Sequence, residues 1–130
     1  MTVSYTFSKK ERLCSNKAIS DLFDKGQAFT VYPFRIFWKI SEEEIPFPVQ
    51  MAVSVPKRSF KKAVDRNRIK RLTREGWRLN KHILYKHLEK NNIQLTLMFV
   101  YTQDDIPNYD LIALKVEKAI SKLLLILPPK

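Results

Sequence analysis

The most informative run of the chain is Ala63-Val64-Asp65-Arg66-Asn67-Arg68-Ile69-Lys70-Arg71-Leu72-Thr73-Arg74-Glu75. At about 100° per residue, a helix through this run and on toward residue 83 places its apolar side chains on one stripe. The predicted stripe consists of Ile69, Leu72, Gly76, Leu79 and Ile83. The basic side chains occupy the opposite arc, so one face of the helix can pack on a sheet while the other presents cations.

The basic arc of this helix carries almost no acidic residues. The cations that we predict to contact a polyanion are Lys62, Arg66, Arg68, Lys70, Arg71, Arg74 and Arg78. An ordinary solvated face interleaves acidic with basic residues, so that alternative is disfavoured here. The preponderance of arginine fits forked hydrogen bonds to phosphate groups. Trp77 also falls on this arc, and we expect it to pack against the next helical segment rather than to contact the polyanion.

The net charge of the chain is concentrated around the same helix. The 130 residues carry 24 basic and 13 acidic side chains, a net charge of +11. Residues 57–81 contribute +9 of this charge, with eleven basic and two acidic side chains. A basic block of this kind indicates a polyanionic partner such as a nucleic acid.

Composition favours one folded domain over residues 1–130. An apolar fraction of 45% argues against general disorder. The single cysteine, Cys14, cannot form an internal disulfide, and no apolar run is long enough for an export signal or a transmembrane helix. We therefore expect a cytoplasmic protein with no membrane partner.

Upstream of the basic helix, the pattern predicts one helix and two strands. Ser15 is the expected N-cap of the helix and Gly26 its C-terminal stop. Residues 34–40 alternate as a strand, with Phe34, Ile36, Trp38 and Ile40 on the apolar face. Residues 49–55 alternate as a second strand.

Downstream of the basic helix, a second helical stretch extends to about residue 89. Residues 94–102 are apolar on both faces, as expected of a covered central strand. A C-terminal helix follows over residues 109–127, with Asn108 or Asp110 as its cap. The order α-β-β-α-β-α predicts a single-domain α+β fold, an α-β sandwich.

The run from Ala63 to Glu75 resembles the RNR signature of the bacterial ribonuclease P protein component. The preceding stretch from Met51 to Arg58 is similar to the strand and basic turn that this family places before its signature. The order of the elements also matches, so the resemblance extends over nearly the whole chain.

This resemblance implies the protein subunit of a ribonucleoprotein endonuclease that matures the 5′ end of tRNA. The catalysis would then belong to an RNA subunit and to Mg²⁺ bound mainly by that RNA. The implied partners are the catalytic RNA and precursor tRNA, with the protein monomeric in the complex. The family fold also implies a left-handed β-α-β crossover, opposite to the general rule.

The resemblance further implies a cleft that holds the 5′ leader of precursor tRNA. The side chains assigned to it are Phe23, Arg35, Phe37, Lys39, Ser54, Lys57, Arg58 and Asn67. Phe37 lies between two cations on its strand face, which suits base stacking with phosphate neutralisation. The alternative is that a helix covers this face and buries Phe37. Where the family often has another phenylalanine, this chain has Ile19.

The sequence contains no persuasive catalytic or metal-binding set. His82, His87 and Cys14 lack the spacing of a zinc site, and the adjacent Asp104 and Asp105 precede a turn. We therefore assign no catalytic residue and no metal ligand to the polypeptide. Two alternatives stay open on the sequence: a structural RNA-binding protein of the ribosomal type, and a protein-only nuclease.

Overall fold

One four-stranded sheet organises residues 7–127, the part of the chain that this computed structural model describes. A short 3-10 turn, Lys9–Glu11, precedes the helices and strands. In chain order these are α1 (Asn16–Lys25), β1 (Gln27–Val31), β2 (Phe34–Ile40), β3 (Val49–Ser54), α2 (Ala63–Asn80), α3 (His82–Lys90), β4 (Leu95–Tyr101) and α4 (Tyr109–Ile126). The domain predicted over 1–130 includes residues 1–6 and 128–130, which lie outside the described range.

The strands are ordered β1-β2-β4-β3 across the sheet. β2 runs antiparallel to both β1 and β4, whereas β3 and β4 are parallel neighbours. A parallel pair requires a crossover connection, which α2 and α3 supply. The handedness of this crossover stays a prediction. The predicted central strand is confirmed as β4, in which every residue except Val100 is buried.

The predicted order of elements lacks β1 and is wrong there. None of the five residues of β1 is fully buried, because the strand lies at the sheet edge and pairs only with β2. Only Phe29 and Val31 of this strand pack against the core, so its hydrophobic alternation is too short to predict a strand. Ile40 also departs from the prediction, since it is 39% exposed at the end of β2 beside the loop of residues 41–48.

The two faces of the sheet pack against different helices. One face carries the main core, to which α2, α3 and α4 contribute buried side chains. On the other face α1 contacts β2 and β4 around a smaller buried cluster. The members of that cluster are Leu13, Leu22 and Met98. Because α1 is short, Phe37, Ala52 and Val100 on this second face are only partly buried.

The buried face of α2 is rotated from the predicted stripe. Its buried residues are Ile69, Thr73, Gly76 and Trp77. Leu79 and Ile83, both predicted for the stripe, are instead 38% and 55% exposed. Ile83 belongs to the separate helix α3, so a helical wheel continued from α2 gives it the wrong angular position. Gly76 fixes the rotation of α2 against α4, because a Cβ there would lie only 3.3 Å from the Cα of Ala113.

Trp77 is wholly buried, which confirms packing as its role. Its ring centroid lies 6.2 Å from that of Tyr85 in α3 and 6.1 Å from that of Phe99 in β4. Trp77 therefore joins both helices of the crossover to the sheet and is unavailable for stacking on RNA.

The predicted caps at Ser15 and Asn108 are confirmed, and α1 ends at Gly26 as predicted. The hydroxyl of Ser15 accepts a hydrogen bond from the N–H of Ala18, and the Asn108 side chain accepts one from the N–H of Leu111 at 2.8 Å. Gly26 follows α1 with φ −76°, so it is not a left-handed stop. A Cβ at residue 26 would instead lie 2.9 Å from the carbonyl oxygen of Trp38, so the helix end and β2 require a glycine there.

Candidate nucleic-acid interface

An aromatic and cationic cluster lies where α1 meets β2. The rings of Phe23 and Phe37 meet edge to face, with centroids 4.7 Å apart. The guanidinium of Arg35 lies 5.4 Å from the Phe37 ring centroid, within the range of a cation–π contact. Phe23 is 43% exposed and Phe37 is half-buried. The structure thus brings three of the predicted cleft residues together, while α1 covers part of the face that carries Phe37.

Lys39 lies apart from this cluster although it shares the strand face of Arg35 and Phe37. Its ammonium lies 3.8 Å from the carboxylate of Glu42, in the acidic loop that follows β2. Glu42 is almost fully exposed, so this pair contributes little to stability. The assignment of Lys39 to the leader cleft stays a prediction.

A groove of about 480 Å³ opens beside β3, where the N-terminal segment before α1 pairs with that strand. Ser54 and Ala52 line it from the sheet, and Ile19 lines it from α1. Lys70 and Arg74 of α2 line the same groove. Both cations were predicted for an outward ridge, so this is a correction. The rotation of α2 described above carries them to the flank of the helix that faces β3.

Arg12 also lines this groove, although no pattern in the sequence predicts it there. It lies in the N-terminal segment before α1, beside Cys14. Burial, and then the positive charge of Arg12, lower the pKa of Arg74 from its ordinary value. Arg12 gives no periodic signal in the sequence, since only a contact across about sixty residues places it against α2.

The arginines of the signature have different environments. Arg66 donates hydrogen bonds to the carbonyl oxygens of Phe60 at 2.7 Å and Lys61 at 3.0 Å, so it holds the loop before α2. Arg78 pairs with Glu75 on the same helix, and this hydrogen bond lowers the pKa of Glu75. In α2 and the turn before it, the predicted RNA contacts that are exposed are Lys57, Arg58, Lys62, Asn67, Arg68 and Arg71.

A buried polar network anchors the N-terminal segment beside the groove. The carboxylate of Glu11 accepts hydrogen bonds from Lys81, from the Tyr85 hydroxyl at 2.7 Å and from the N–H of Ser8 at 2.7 Å. Burial alone would favour the neutral acid, but these hydrogen bonds outweigh it and hold the pKa of Glu11 below its ordinary value. Burial and the bond to Glu11 raise the pKa of Tyr85.

The described residues hold no group of three or more histidine, cysteine or carboxylate side chains placed to bind a metal ion. Asp104 and Asp105 are exposed in the loop after β4, and Asp65 lies on α2. These carboxylates therefore do not converge on one point. Within residues 7–127, no helix has both the length and the apolar character needed to cross a bilayer.

Comparison with known proteins identifies the family to which this architecture belongs. A family model described as Ribonuclease P matches residues 7–123. The chain belongs to this family. The ribonuclease P protein component of Porphyromonas gingivalis is 38% identical over 125 residues, covering 95% of this chain and 91% of that protein. The component of Chlorobaculum tepidum is 34% identical over 116 residues, covering 82% and 75%.

Solved structures of ribonuclease P proteins share the fold. The protein of Thermotoga maritima superposes with a TM-score of 0.69 at 16% identity, covering 85% of this chain and 96% of that one. The Staphylococcus aureus protein superposes with a TM-score of 0.58 at 21% identity, covering 91% and 95%. The predicted α+β fold class is thereby confirmed. Family membership makes this chain a protein subunit of ribonuclease P, and nothing in the comparisons favours the ribosomal-type alternative.

Proposed function

We propose that this subunit binds two RNA ligands through two different surfaces. The exposed side of α2 contacts the catalytic RNA of ribonuclease P, and the sheet face beside α1 contacts the 5′ leader of precursor tRNA. The supporting observation is the separation of the two sets of side chains. Arg68 and Arg71 are exposed on α2, whereas Phe23, Phe37 and Arg35 cluster against α1 on the second face of the sheet.

The aromatic cluster suits single-stranded RNA. Unpaired bases stack on aromatic rings, and nearby cations neutralise the phosphates that connect them. The exposed part of Phe23, the edge of Phe37 and the guanidinium of Arg35 supply both kinds of contact within one site. Lys57, Arg58 and Asn67 are exposed around the start of α2 and complete the proposed leader surface.

The exposed cations of α2 suit a folded RNA. Within the described range, Lys62, Arg68 and Arg71 have no carboxylate partner, so their side chains are available for phosphates. Arg66 has a different role in this proposal, because its guanidinium is occupied by two backbone carbonyls. It shapes the loop from which α2 begins.

In this proposal the polypeptide supplies no catalytic residue. The carboxylates of residues 7–127 do not form a converging set, so they do not fit the role of a metal site. The catalytic RNA would hold the Mg²⁺ that the cleavage needs. The protein, acting as one cytoplasmic chain per RNA, would hold the leader in place and reduce the repulsion between phosphates.

The decisive experiment measures cleavage of precursor tRNA by the protein alone, by the catalytic RNA alone, and by both together. We expect no cleavage with the protein alone, cleavage by the RNA at high Mg²⁺, and cleavage at lower Mg²⁺ when both are present. Cleavage by the pure protein would contradict the proposal and support a protein-only nuclease.

The docking surface on α2 can be tested separately with Arg68→Ala/Arg71→Ala. We expect weaker binding to the catalytic RNA and a salt dependence that is shallower by about 0.7 to 0.9 for each phosphate that the variant no longer neutralises. A matched control is Lys86→Ala/Lys90→Ala, which removes two exposed cations from α3. If both double variants bind the RNA equally well, the assignment of this surface is wrong.

A further inference from the structure

The N-terminal segment of residues 7–13 wraps around β3 as a strap. Phe7 packs on the main core on one side of the sheet, and Leu13 belongs to the smaller buried cluster on the other side. The N–H of Leu13 donates to the carbonyl oxygen of Met51 at 3.1 Å, which attaches the strap to the strand. The strap therefore connects the helices on the main core to the groove beside β3.

A buried clamp fixes the middle of the strap. Glu11 is 1% exposed, and its carboxylate accepts hydrogen bonds from the Lys81 ammonium and from the Tyr85 hydroxyl, the latter at 2.7 Å. The Lys81 ammonium also lies over two rings, 5.0 Å from the centroid of Tyr85 and 5.8 Å from that of Phe7. The clamp thus holds the strap at both Phe7 and Glu11.

Arg12 extends from this clamp to the groove. Its guanidinium lies 5.5 Å from the Phe7 ring centroid, and its side chain lines the groove together with Lys70 and Arg74 of α2. Burial, and then the positive charge of Arg12, lower the pKa of Arg74, because the two cations lie close enough to repel. This repulsion would move Arg12 away from α2 unless the strap were attached to the helix at another point.

Lys81 supplies that attachment on the side of α2 that carries Arg74. The two residues are seven positions apart, which is close to two full turns of a helix. Lys81 caps the end of α2 in helical conformation, so both side chains leave the helix in nearly the same direction. The pair of Glu11 with Lys81 therefore offsets the repulsion between Arg12 and Arg74, which acts two turns away.

Stability alone does not explain why this attachment is ionic. A buried ion pair contributes little net stability compared with apolar side chains of similar volume, because both charges are removed from water. An ion pair has a specific geometry, however, and so fixes one register where apolar contacts would allow several. The clamp is therefore suited to placing a neighbouring side chain accurately.

We infer that Glu11, Lys81 and Tyr85 are positioning residues for binding of the 5′ leader, because they hold the strap so that Arg12 presents its guanidinium to the groove. None of the three lines the groove itself. The inference rests on the proposed function, which places the leader on the sheet face beside α1. Ser54, which is predicted to contact the leader, lines the same groove as Arg12.

The test measures the affinity of the reconstituted ribonucleoprotein for precursor tRNA with a long 5′ leader. The variants are Tyr85→Phe, Arg12→Ala and the two combined. Tyr85→Phe removes one hydrogen bond to Glu11 and keeps the ring beside Lys81. We expect it to lower the affinity roughly threefold to tenfold, because Arg12 must then be ordered when the leader binds. In the Arg12→Ala background the same change should have no further effect, since the clamp acts through Arg12.

A second variant and a direct measurement separate positioning from stability. Glu11→Gln keeps a hydrogen-bonding side chain and removes the charge, and its effect should show the same dependence on Arg12. Hydrogen exchange of the Leu13 amide in the free protein should be faster in Tyr85→Phe, because a looser strap separates more often from Met51. The cleavage rate at saturating protein and Mg²⁺ should stay at the wild-type value in both variants.

Tyr101→Phe is the matched control. The hydroxyl of the buried Tyr101 also donates a hydrogen bond, at 2.8 Å, but to the carbonyl oxygen of Asp105 in the loop after β4. This variant should change neither the affinity for the precursor nor the exchange of the Leu13 amide.

Two results would show that the clamp is only structural and that the inference is wrong, while the proposed function stands. One is a loss of affinity in Tyr85→Phe that is equal with and without Arg12, or no larger than in Tyr101→Phe. The other is an unchanged exchange rate at Leu13. If the wild-type complex binds precursors with a long leader and with almost no leader equally well, the leader assignment in the proposed function fails instead.

Discussion

Lys81 and Glu11 form an ion pair between segments that are 70 residues apart in sequence, and 2% and 1% of their surfaces are exposed. Lys81 lies at the junction of α2 and α3, and Glu11 ends the 3-10 turn before α1. The Tyr85 hydroxyl donates to the same carboxylate. This network joins the N-terminal segment to the crossover helices and, through Arg12, to the candidate RNA groove.

Glu11→Ala should strongly destabilise the fold. The change would remove the carboxylate that neutralises the buried Lys81 ammonium, and breaking a buried pair typically costs about 3–5 kcal/mol. Glu11→Leu/Lys81→Met should cost much less than the sum of the single changes, because no uncompensated charge remains. Urea denaturation gives the free energies of unfolding. Glu42→Ala, which breaks the exposed pair with Lys39, is the control and should cost about 0–1 kcal/mol. Equal costs for Glu11→Ala and Glu42→Ala would contradict a structural role for the buried pair.

The stability contributed by Glu11 should depend on pH in the acid range. Its pKa in the folded protein lies below its ordinary value, so the folded state binds fewer protons than the unfolded state. The contribution is therefore complete above the unfolded pKa of about 4.3 and is lost as the pH falls through the folded pKa. We expect the difference in unfolding free energy between the wild type and Glu11→Gln to shrink steadily below about pH 4. A difference that is constant or grows toward acid pH would show that burial, not hydrogen bonding, dominates at this carboxylate.

Elements with a strong local pattern could be predicted from the sequence, whereas those that depend on packing could not. Alternation identified β2 and β3, and the continuous apolar run identified β4. β1 was missed because only Phe29 and Val31 form its apolar face, which is too short to reveal an edge strand. The rotation of α2 was also missed. It is fixed by the close approach of Gly76 to Ala113 on α4, and a helical wheel of α2 alone gives no information about contacts with another helix.

The candidate site was predictable in composition but not in arrangement. Phe23, Phe37 and Arg35 were assigned to one cleft, and the structure places them in contact. Lys70 and Arg74 were predicted for an outward ridge, whereas the structure places them at the groove beside β3, because the prediction depended on the phase of the apolar stripe. Arg12 has no local signature at all. Its place at the groove depends on the buried Glu11 and on the bond from Leu13 to β3, both of which join distant parts of the chain.

Phe37→Ala should weaken binding of precursor tRNA that carries a long leader by about 1–3 kcal/mol, the contribution of one stacked base. A substrate with almost no leader should bind as it does to the wild type. The affinity of each substrate for the reconstituted complex is the measurement, and a thermal melt monitors the fold. Phe47→Ala is a suitable control, since Phe47 is also half-buried but lies in the loop between β2 and β3, outside the aromatic cluster. The carbonyl oxygen of Phe47 accepts a hydrogen bond from the Gln94 side chain. Equal losses on both substrates, with a lowered melting temperature, would make Phe37 a core residue.

Replacing the carboxylates of this chain should leave the chemical step largely intact. Hydrolysis of a phosphodiester needs a metal-bound water or a positioned base, and metal sites for such chemistry are built from converging carboxylates. Asp65 lies on α2, whereas Asp104 and Asp105 are exposed in a loop after β4. The Tyr101 hydroxyl donates to the backbone carbonyl of Asp105 rather than to its carboxylate, so the side chain is not needed for that contact.

Asp65→Asn, Asp104→Asn and Asp105→Asn should each keep the single-turnover cleavage rate within about a factor of ten of the wild type, at saturating Mg²⁺ and protein. Loss of a general acid or base would lower that rate by about 10²-fold or more. Saturation matters because a weakened complex would otherwise imitate a chemical defect. Parallel binding measurements on the same complexes separate the two. A hundredfold loss of the saturated rate in one variant, with its RNA binding unchanged, would place a catalytic carboxylate on the polypeptide and overturn the assignment of catalysis to the RNA.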